Sequence, residues 1–215
     1  MTVFLGKSSY DFAASRNPEN AAQGLNLIRQ IREEVKMLQG EQEAYLIYST
    51  IRKTEKIKGN IAEVGVYRGG SAKLMREATK KPLHLFDTFE GLPEPSIKDK
   101  PSQYQKGSCC ASLELVKEYL RNYSGIHFHK GLFPETVKSV RNKRFSFVHL
   151  DVDLYQSTLD ALKFFYPRIN KGGVIISHDY PNSEGVTRAF NEFFEDKPEI
   201  ILEPYTTDQC LVVKV

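Results

Sequence analysis

The sequence predicts an α/β protein: a doubly wound, mostly parallel, seven-stranded sheet with an antiparallel last strand, preceded by N-terminal helices. Three observations carry this expectation. From Asn60 onward, short apolar runs alternate with stretches of helical periodicity, a pattern that builds a parallel sheet covered by helices on both faces. Between the irregular first 23 residues and Asn60 there are two helical patterns. The last two apolar runs, Ile200–Leu202 and Cys210–Val213, are joined by about seven residues, too few for a parallel crossover.

The elements follow in order. Residues 1–23 are polar and irregular and read as an arm or lid. Leu25, Ile28, Ile31, Val35 and Leu38 recur at helical spacing until Gly40 stops the run. A second helix is expected over Glu41–Thr54, with Tyr45, Ile47, Tyr48 and Ile51 apolar. Strands are expected at Ile61–Tyr67, Leu83–Phe86, Ile126–Phe128, Phe145–Leu150 and Val174–Ser177. Helices are expected at Ser71–Thr79, Leu113–Tyr123, Pro134–Val140, Ser157–Tyr166 and Val186–Phe194. Pro93–Ser108 shows no element, and a loop of that length is a lid or solvated surface. The expected organisation is an N-terminal arm and helices over 1–59, followed by the main α/β domain over 60–215.

Bulk properties narrow the function. A chain of 215 residues suits one large domain. Its formal net charge of +3 is small, and Lys and Arg are interspersed with Asp and Glu, so no nucleic-acid partner is expected. No apolar run approaches the ~18 residues of a membrane span, and Met1–Leu5 is too short for a secretory signal. Three cysteines, two of them the adjacent Cys109 and Cys110, suit reduced thiols in a cytoplasm. A homo-oligomer remains open.

In such a sheet, ligands sit beyond the C-terminal strand ends, at the switch in strand order. The first strand runs into Glu63-Val64-Gly65-Val66-Tyr67-Arg68-Gly69-Gly70-Ser71. Gly65 permits a tight turn and close backbone approach. The spacing is not that of dinucleotide binders, and no Lys-Ser/Thr follows as in a phosphate loop. An acid before the glycines suits a cofactor with an amino group better than one with a pyrophosphate. Asp87 lies 22 positions after Gly65, where a carboxylate accepts from ribose hydroxyls. Together these motifs indicate an adenosine-type cofactor. The antiparallel tail favours S-adenosylmethionine over a nicotinamide.

Strand four ends at His149-Leu150-Asp151-Val152-Asp153, and strand five at Ser177-His178-Asp179. Neighbouring strands lie about 5 Å apart, so Asp151 and Asp179 are expected to share a cation. Clustered carboxylates repel without one. Oxygen ligands suit Mg²⁺, and His178 would add a nitrogen that tolerates Mn²⁺ or Zn²⁺ better. A metal-activated hydroxyl with a carboxylate to take its proton is suited to methyl transfer.

These segments, with Phe86-Asp87-Thr88-Phe89-Glu90-Gly91-Leu92-Pro93, Lys130-Gly131-Leu132-Phe133-Pro134-Glu135-Thr136 and Leu150-Asp151-Val152-Asp153-Leu154-Tyr155-Gln156-Ser157-Thr158, resemble the macrocin O-methyltransferase family over roughly Asn60 to Val215. These are class I enzymes of Rossmann-like fold that methylate sugar hydroxyls of natural products. The resemblance implies Asp151, His178 and Asp179 as ligands of a divalent metal, expected to be Mg²⁺, and Asp153 and Asp151 as catalytic. It implies cofactor contacts from Glu63, Gly65, Tyr67, Arg68, Gly69, Ser71, Asp87, Thr88, Phe89, Gly131 and Asp151. The implied acceptor is a hydroxyl on a sugar-containing small molecule. The family commonly carries Asp-Asp-Tyr after strand five, whereas this chain has His178-Asp179-Tyr180. A catechol-type methyltransferase and a cofactor-binding protein without turnover are the alternatives.

Overall fold

The computed structural model describes residues 18–100, 104–205 and 207–215. The expected arm therefore lies outside the described residues up to residue 17. From residue 18 the chain is already helical: Pro18 and Glu19 occupy the first turn of α1 (Pro18–Glu34), where proline's missing N–H costs nothing and an acid meets the helix dipole. The helix also stops earlier than the apolar spacing suggests. Residues 36–39 leave the helical path and face the central cavity instead. Helix α2 (Glu41–Lys53) then starts at Gly40, whose N–H donates to Glu43 Oε2 at 2.6 Å.

The sheet comprises β1 (Asn60–Val64), β2 (Leu83–Asp87), β3 (Ile126–Lys130), β4 (Phe145–Leu150), β5 (Ile169–Ser177) and β6 (Cys210–Val213), in the order β3-β2-β1-β4-β5-β6. All pairs are parallel except β5–β6. The helices between them are α3 (Gly70–Ala78), α4 (Leu113–Tyr119), α5 (Tyr155–Phe165) and α6 (Glu184–Phe194). The α/β class, the parallel sheet and the antiparallel last strand are as expected, but among the described residues the sheet has six strands rather than seven. Ile200–Leu202 contributes only an isolated bridge, Leu202 to Leu211, made by two backbone bonds of 2.9 and 2.8 Å. Pro198 and Pro204 bracket this segment, and proline cannot donate to a ladder. The stretch expected as helix over Pro134–Val140 is a 3-10 turn at Val137–Val140.

Two cores pack against the sheet. One joins Ile28, Ile31, Ile47 and Ile51 of the N-terminal helices to Leu74 and Met75 of α3 and Ile61 and Leu85 of the sheet. The other gathers Phe86, Phe145, Phe165 and Phe190 on the opposite face. Helices α1 and α2 thus share a core with the sheet. Because β2 and β3 extend to one side of β1 while β4 and β5 extend to the other, a crevice opens where β1 meets β4. Among the described residues no helix is long and apolar enough to cross a membrane.

Candidate active site

One cavity of about 240 Å³ occupies that crevice. Its floor is the first residue beyond each strand. Gly65 N donates to Phe86 O, Asp151 N to Val64 O and His178 N to Leu150 O, so each strand end is tied to its neighbour. Gly65 is at φ +87, and a Cβ there would lie 1.8 Å from the Asp151 carbonyl oxygen. Glycine is what lets the ends of β1 and β4 come this close.

At one end of the cavity stands Asp87. Its Oδ2 accepts from Val66 N (2.7 Å) and Tyr67 N (3.0 Å), and its Oδ1 from Phe89 N (2.7 Å). The carboxylate therefore fixes the glycine turn; the Thr88 hydroxyl also lies 3.4 Å from Oδ1 but donates at 2.7 Å to Gly91 O, so about one of the roughly four lone-pair positions is left for a ligand hydroxyl. Tyr67, Arg68, Ser71, Thr88 and Gly131 line the same end. The N-terminus of α3 opens onto it at Gly70 and Ser71, a position that favours anionic groups.

Three residues expected at the cofactor do not line the cavity. Gly69 caps α3 at φ +83, and the Phe89 ring is buried in the core. Glu63 is fully buried beneath the turn, with Oε1 2.9 Å from His149 Nδ1, and both side chains have no exposure. Burial holds the Glu63 carboxyl above its ordinary range, although His149 and the Ser71 hydroxyl work the other way.

At the other end lie Asp151, Asp153, His178 and Asp179. Asp153 and Asp179 both have left-handed backbones, φ 60 and 59, a conformation that aspartate tolerates better than most residues. Ser183 holds this arrangement: its hydroxyl donates to Asp153 O at 2.9 Å and its N–H to Asp179 O at 2.8 Å. His178 Nδ1 is 3.0 Å from Asp179 Oδ1 and 3.5 Å from Asp151 Oδ1, while Nε2 lies 3.2 Å from Glu43 Oε2. This last contact is an ion-pair approach rather than an aligned hydrogen bond.

The electrostatics follow from this packing. Burial opposes charge on His178, but Asp151, Asp179 and Glu43 outweigh it and push the ring up to about 12. Burial likewise opposes ionisation of Glu43, yet His178 and the Gly40 and Asp208 N–H groups lower it to about 2. Burial, with Asp151 and Asp179 adding to it, raises Asp153 to about 9. A surplus of negative charge therefore remains even with a charged His178. The donor set fits a divalent cation that displaces the proton from His178: one oxygen from each of Asp151 and Asp179 and one His178 nitrogen lie within 4.8 Å of one another.

The cavity also contains residues that strand-end reasoning misses. Lys36, Met37, Leu38 and Gln39 form a wall, and Gln39 Nε2 donates to Asp151 Oδ2. Cys109 and Leu92 come from the two ends of the Pro93–Ser108 loop. Residues 96–99 of that loop are docked. Asp99 is 5% exposed and caps α5, with Oδ1 accepting from Tyr155 N at 2.7 Å and Oδ2 from Ser96 N at 2.8 Å. The capping pattern Ser96-x-x-Asp99 is visible in sequence; its target on α5 is not. His127 and His129 sit away from the cavity, stacked on the buried His84.

The sequence matches the family model of macrocin-O-methyltransferase (TylF) over residues 42–209. It is 31% identical over 140 residues to an 8-demethyl-8-(2,3-dimethoxy-alpha-L-rhamnosyl)-tetracenomycin-C 4'-O-methyltransferase of Streptomyces olivaceus, covering 58% of this chain and 54% of that protein. It is 30% identical over 140 residues to a demethyldecarbamoylnovobiocin O-methyltransferase of Streptomyces niveus, covering 58% and 53%. The matched segment thus spans about half the length of these relatives. The fold is similar to that of the O-methyltransferase NovP, with TM-score 0.73, 23% identity, and 82% and 81% of the two chains covered.

Proposed function

Since the chain belongs to the macrocin-O-methyltransferase family, we propose that it transfers a methyl group from S-adenosylmethionine to a hydroxyl of a sugar-containing small molecule, assisted by a divalent metal. The observation that carries this reading is that a single cavity has Asp87 and the glycine turn at one end and the Asp151–Asp153–His178–Asp179 cluster at the other. S-adenosylmethionine would supply an electrophilic methyl group on its sulfonium. A cation held by Asp151, His178 and Asp179, Mg²⁺ or Mn²⁺, would make the acceptor hydroxyl more acidic.

The chain's own residues do the rest. Asp87 takes a ribose hydroxyl on its remaining lone pair. The α3 N-terminus and Arg68 face the carboxylate of the methionine portion, and Asp151 its ammonium. Asp153 takes the proton of the acceptor hydroxyl in its ionised form, which a cation bound beside it would favour. The wall at residues 36–39, with Leu92, Pro93 and Cys109, narrows access for water, and alignment of the two reactants is the main catalytic contribution.

The test is transfer of labelled methyl to glycosylated acceptors and to catechols, by wild type and Asp153→Asn. Transfer to the sugar-bearing acceptors, lost by about 10²-fold or more in the variant with cofactor binding intact, is the expected result. Transfer to catechols alone, or no transfer by a protein that binds the cofactor, would refute the reading.

A further inference from the structure

The resemblance assigns candidate ligands only from the ends of β4 and β5, yet two of those ligands are met by side chains from a different part of the chain. Gln39, just before α2, holds Asp151 through its amide. Glu43, in the first turn of α2, lies 3.2 Å from His178 Nε2. Glu43 is itself fixed, for Gly40 N donates to its Oε2 at 2.6 Å and Asp208 N to its Oε1 at 3.0 Å. It is 9% exposed.

An imidazole ligand differs from a carboxylate in one respect. Its two nitrogens point in opposite directions, and only one can face the cation. Histidine ligands accordingly hand their other nitrogen to a carboxylate or carbonyl, which fixes ring and tautomer. In this chain the nitrogen facing Asp151 and Asp179 is Nδ1, and the nitrogen facing Glu43 is Nε2.

We propose that Glu43 is a positioning residue for the cation seat: its carboxylate orients the His178 ring so that Nδ1 completes the ligand set with Asp151 and Asp179. The role exists because this chain carries histidine where an aspartate ligand would need no such partner. It also makes the N-terminal helical segment part of the cation site. The inference rests on the metal-assisted reading above.

Mn²⁺ is the probe, since its uptake is read directly by paramagnetic resonance and calorimetry without turnover. Wild type, Glu43→Ala, Glu43→Gln, His178→Asp and the double variant His178→Asp/Glu43→Ala are titrated, with S-adenosylhomocysteine affinity and Tm measured alongside. Glu43→Ala is expected to weaken Mn²⁺ binding by about 10–100-fold while leaving S-adenosylhomocysteine affinity unchanged. Glu43→Gln, which retains one acceptor for the α2 cap, is expected to fold if Glu43→Ala does not, and to show a smaller loss. In the His178→Asp background, Glu43→Ala is expected to make no difference, because a carboxylate ligand has no ring to orient. Wild-type Mn²⁺ affinity in both Glu43 variants, or an equal loss in the His178→Asp background, would overturn the proposal. Wild type that binds S-adenosylhomocysteine but takes up no Mn²⁺ would overturn the metal reading itself, and that result appears before any variant is compared.

Discussion

Replacing Gly65 with alanine separates two costs that usually come together. Gly65 sits at φ +87, and placing a Cβ in the left-handed region costs about 1–2 kcal/mol. At roughly 2–4 °C per kcal/mol for a chain of this size, the conformation alone lowers Tm by a few degrees. The added carbon would also lie 1.8 Å from Asp151 O, where real contacts stay beyond 3.0 Å. The obstacle is backbone, so no side-chain rotation relieves it, and the end of β4 must retreat by over an ångström. A displacement of about 1 Å in a reacting group costs on the order of 10² in rate. Gly107 supplies the control, since it has φ +82 but nothing within 4 Å of where a Cβ would stand. Scanning fluorimetry and calorimetry with S-adenosylhomocysteine distinguish the two. Gly107→Ala should lose only the few degrees. Gly65→Ala should lose more and should also lose cofactor affinity. Wild-type affinity and Tm in Gly65→Ala, or equal losses in both variants, would refute the argument that close approach of the strand ends builds the cavity.

Other outcomes follow from the same structure. Asp99→Ala removes the acceptor at the start of α5, costing about 1 kcal/mol; Tm should fall by a few degrees and S-adenosylhomocysteine should dissociate faster, as read by stopped-flow fluorescence. His84 is lowered from 6.5 to about 4 by burial, with His127 and His129 adding repulsion. A histidine with a depressed folded value supplies stability that is present above pH 6.5 and lost as pH falls through about 4. Tm measured against pH should decline over that window, and His84→Phe should flatten the decline; an unchanged slope would contradict it. Glu63→Gln keeps the shape of the buried Glu63–His149 contact but removes its charge, and should leave KM for the acceptor unchanged while shifting Tm; a specific loss of cofactor affinity would instead place Glu63 in direct contact with the ligand.

Legibility in the sequence varies with the range of the interaction. The parallel sheet is readable because each β–α unit is local and repeats its period, and Gly65, Asp87, Asp151 and His178 are readable because strand ends are where such folds bind ligands. The seventh strand fails because an apolar triplet says nothing of the prolines on either side of it, which deny it a ladder. The starting point of α1 is hidden because Pro18-Glu19 suits a loop as well as a first turn. Gln39, Glu43 and Asp99 escape for a different reason: each acts on a group far away in the chain, with 112 positions between Gln39 and Asp151, and no local pattern encodes such a partner.

The Glu63–His149 contact joins β1 to β4 across 86 positions of chain. A growing or refolding chain must therefore hold the central strand with one edge bare until β4 arrives, and pairing so distant in sequence is slow to form. During that interval Ile61, Ala62 and Val64, fully or almost fully buried in the finished protein, lie on an unpaired edge that other chains can reach. Recombinant yield should accordingly depend on temperature and chaperone supply more than the stability of the folded protein would suggest.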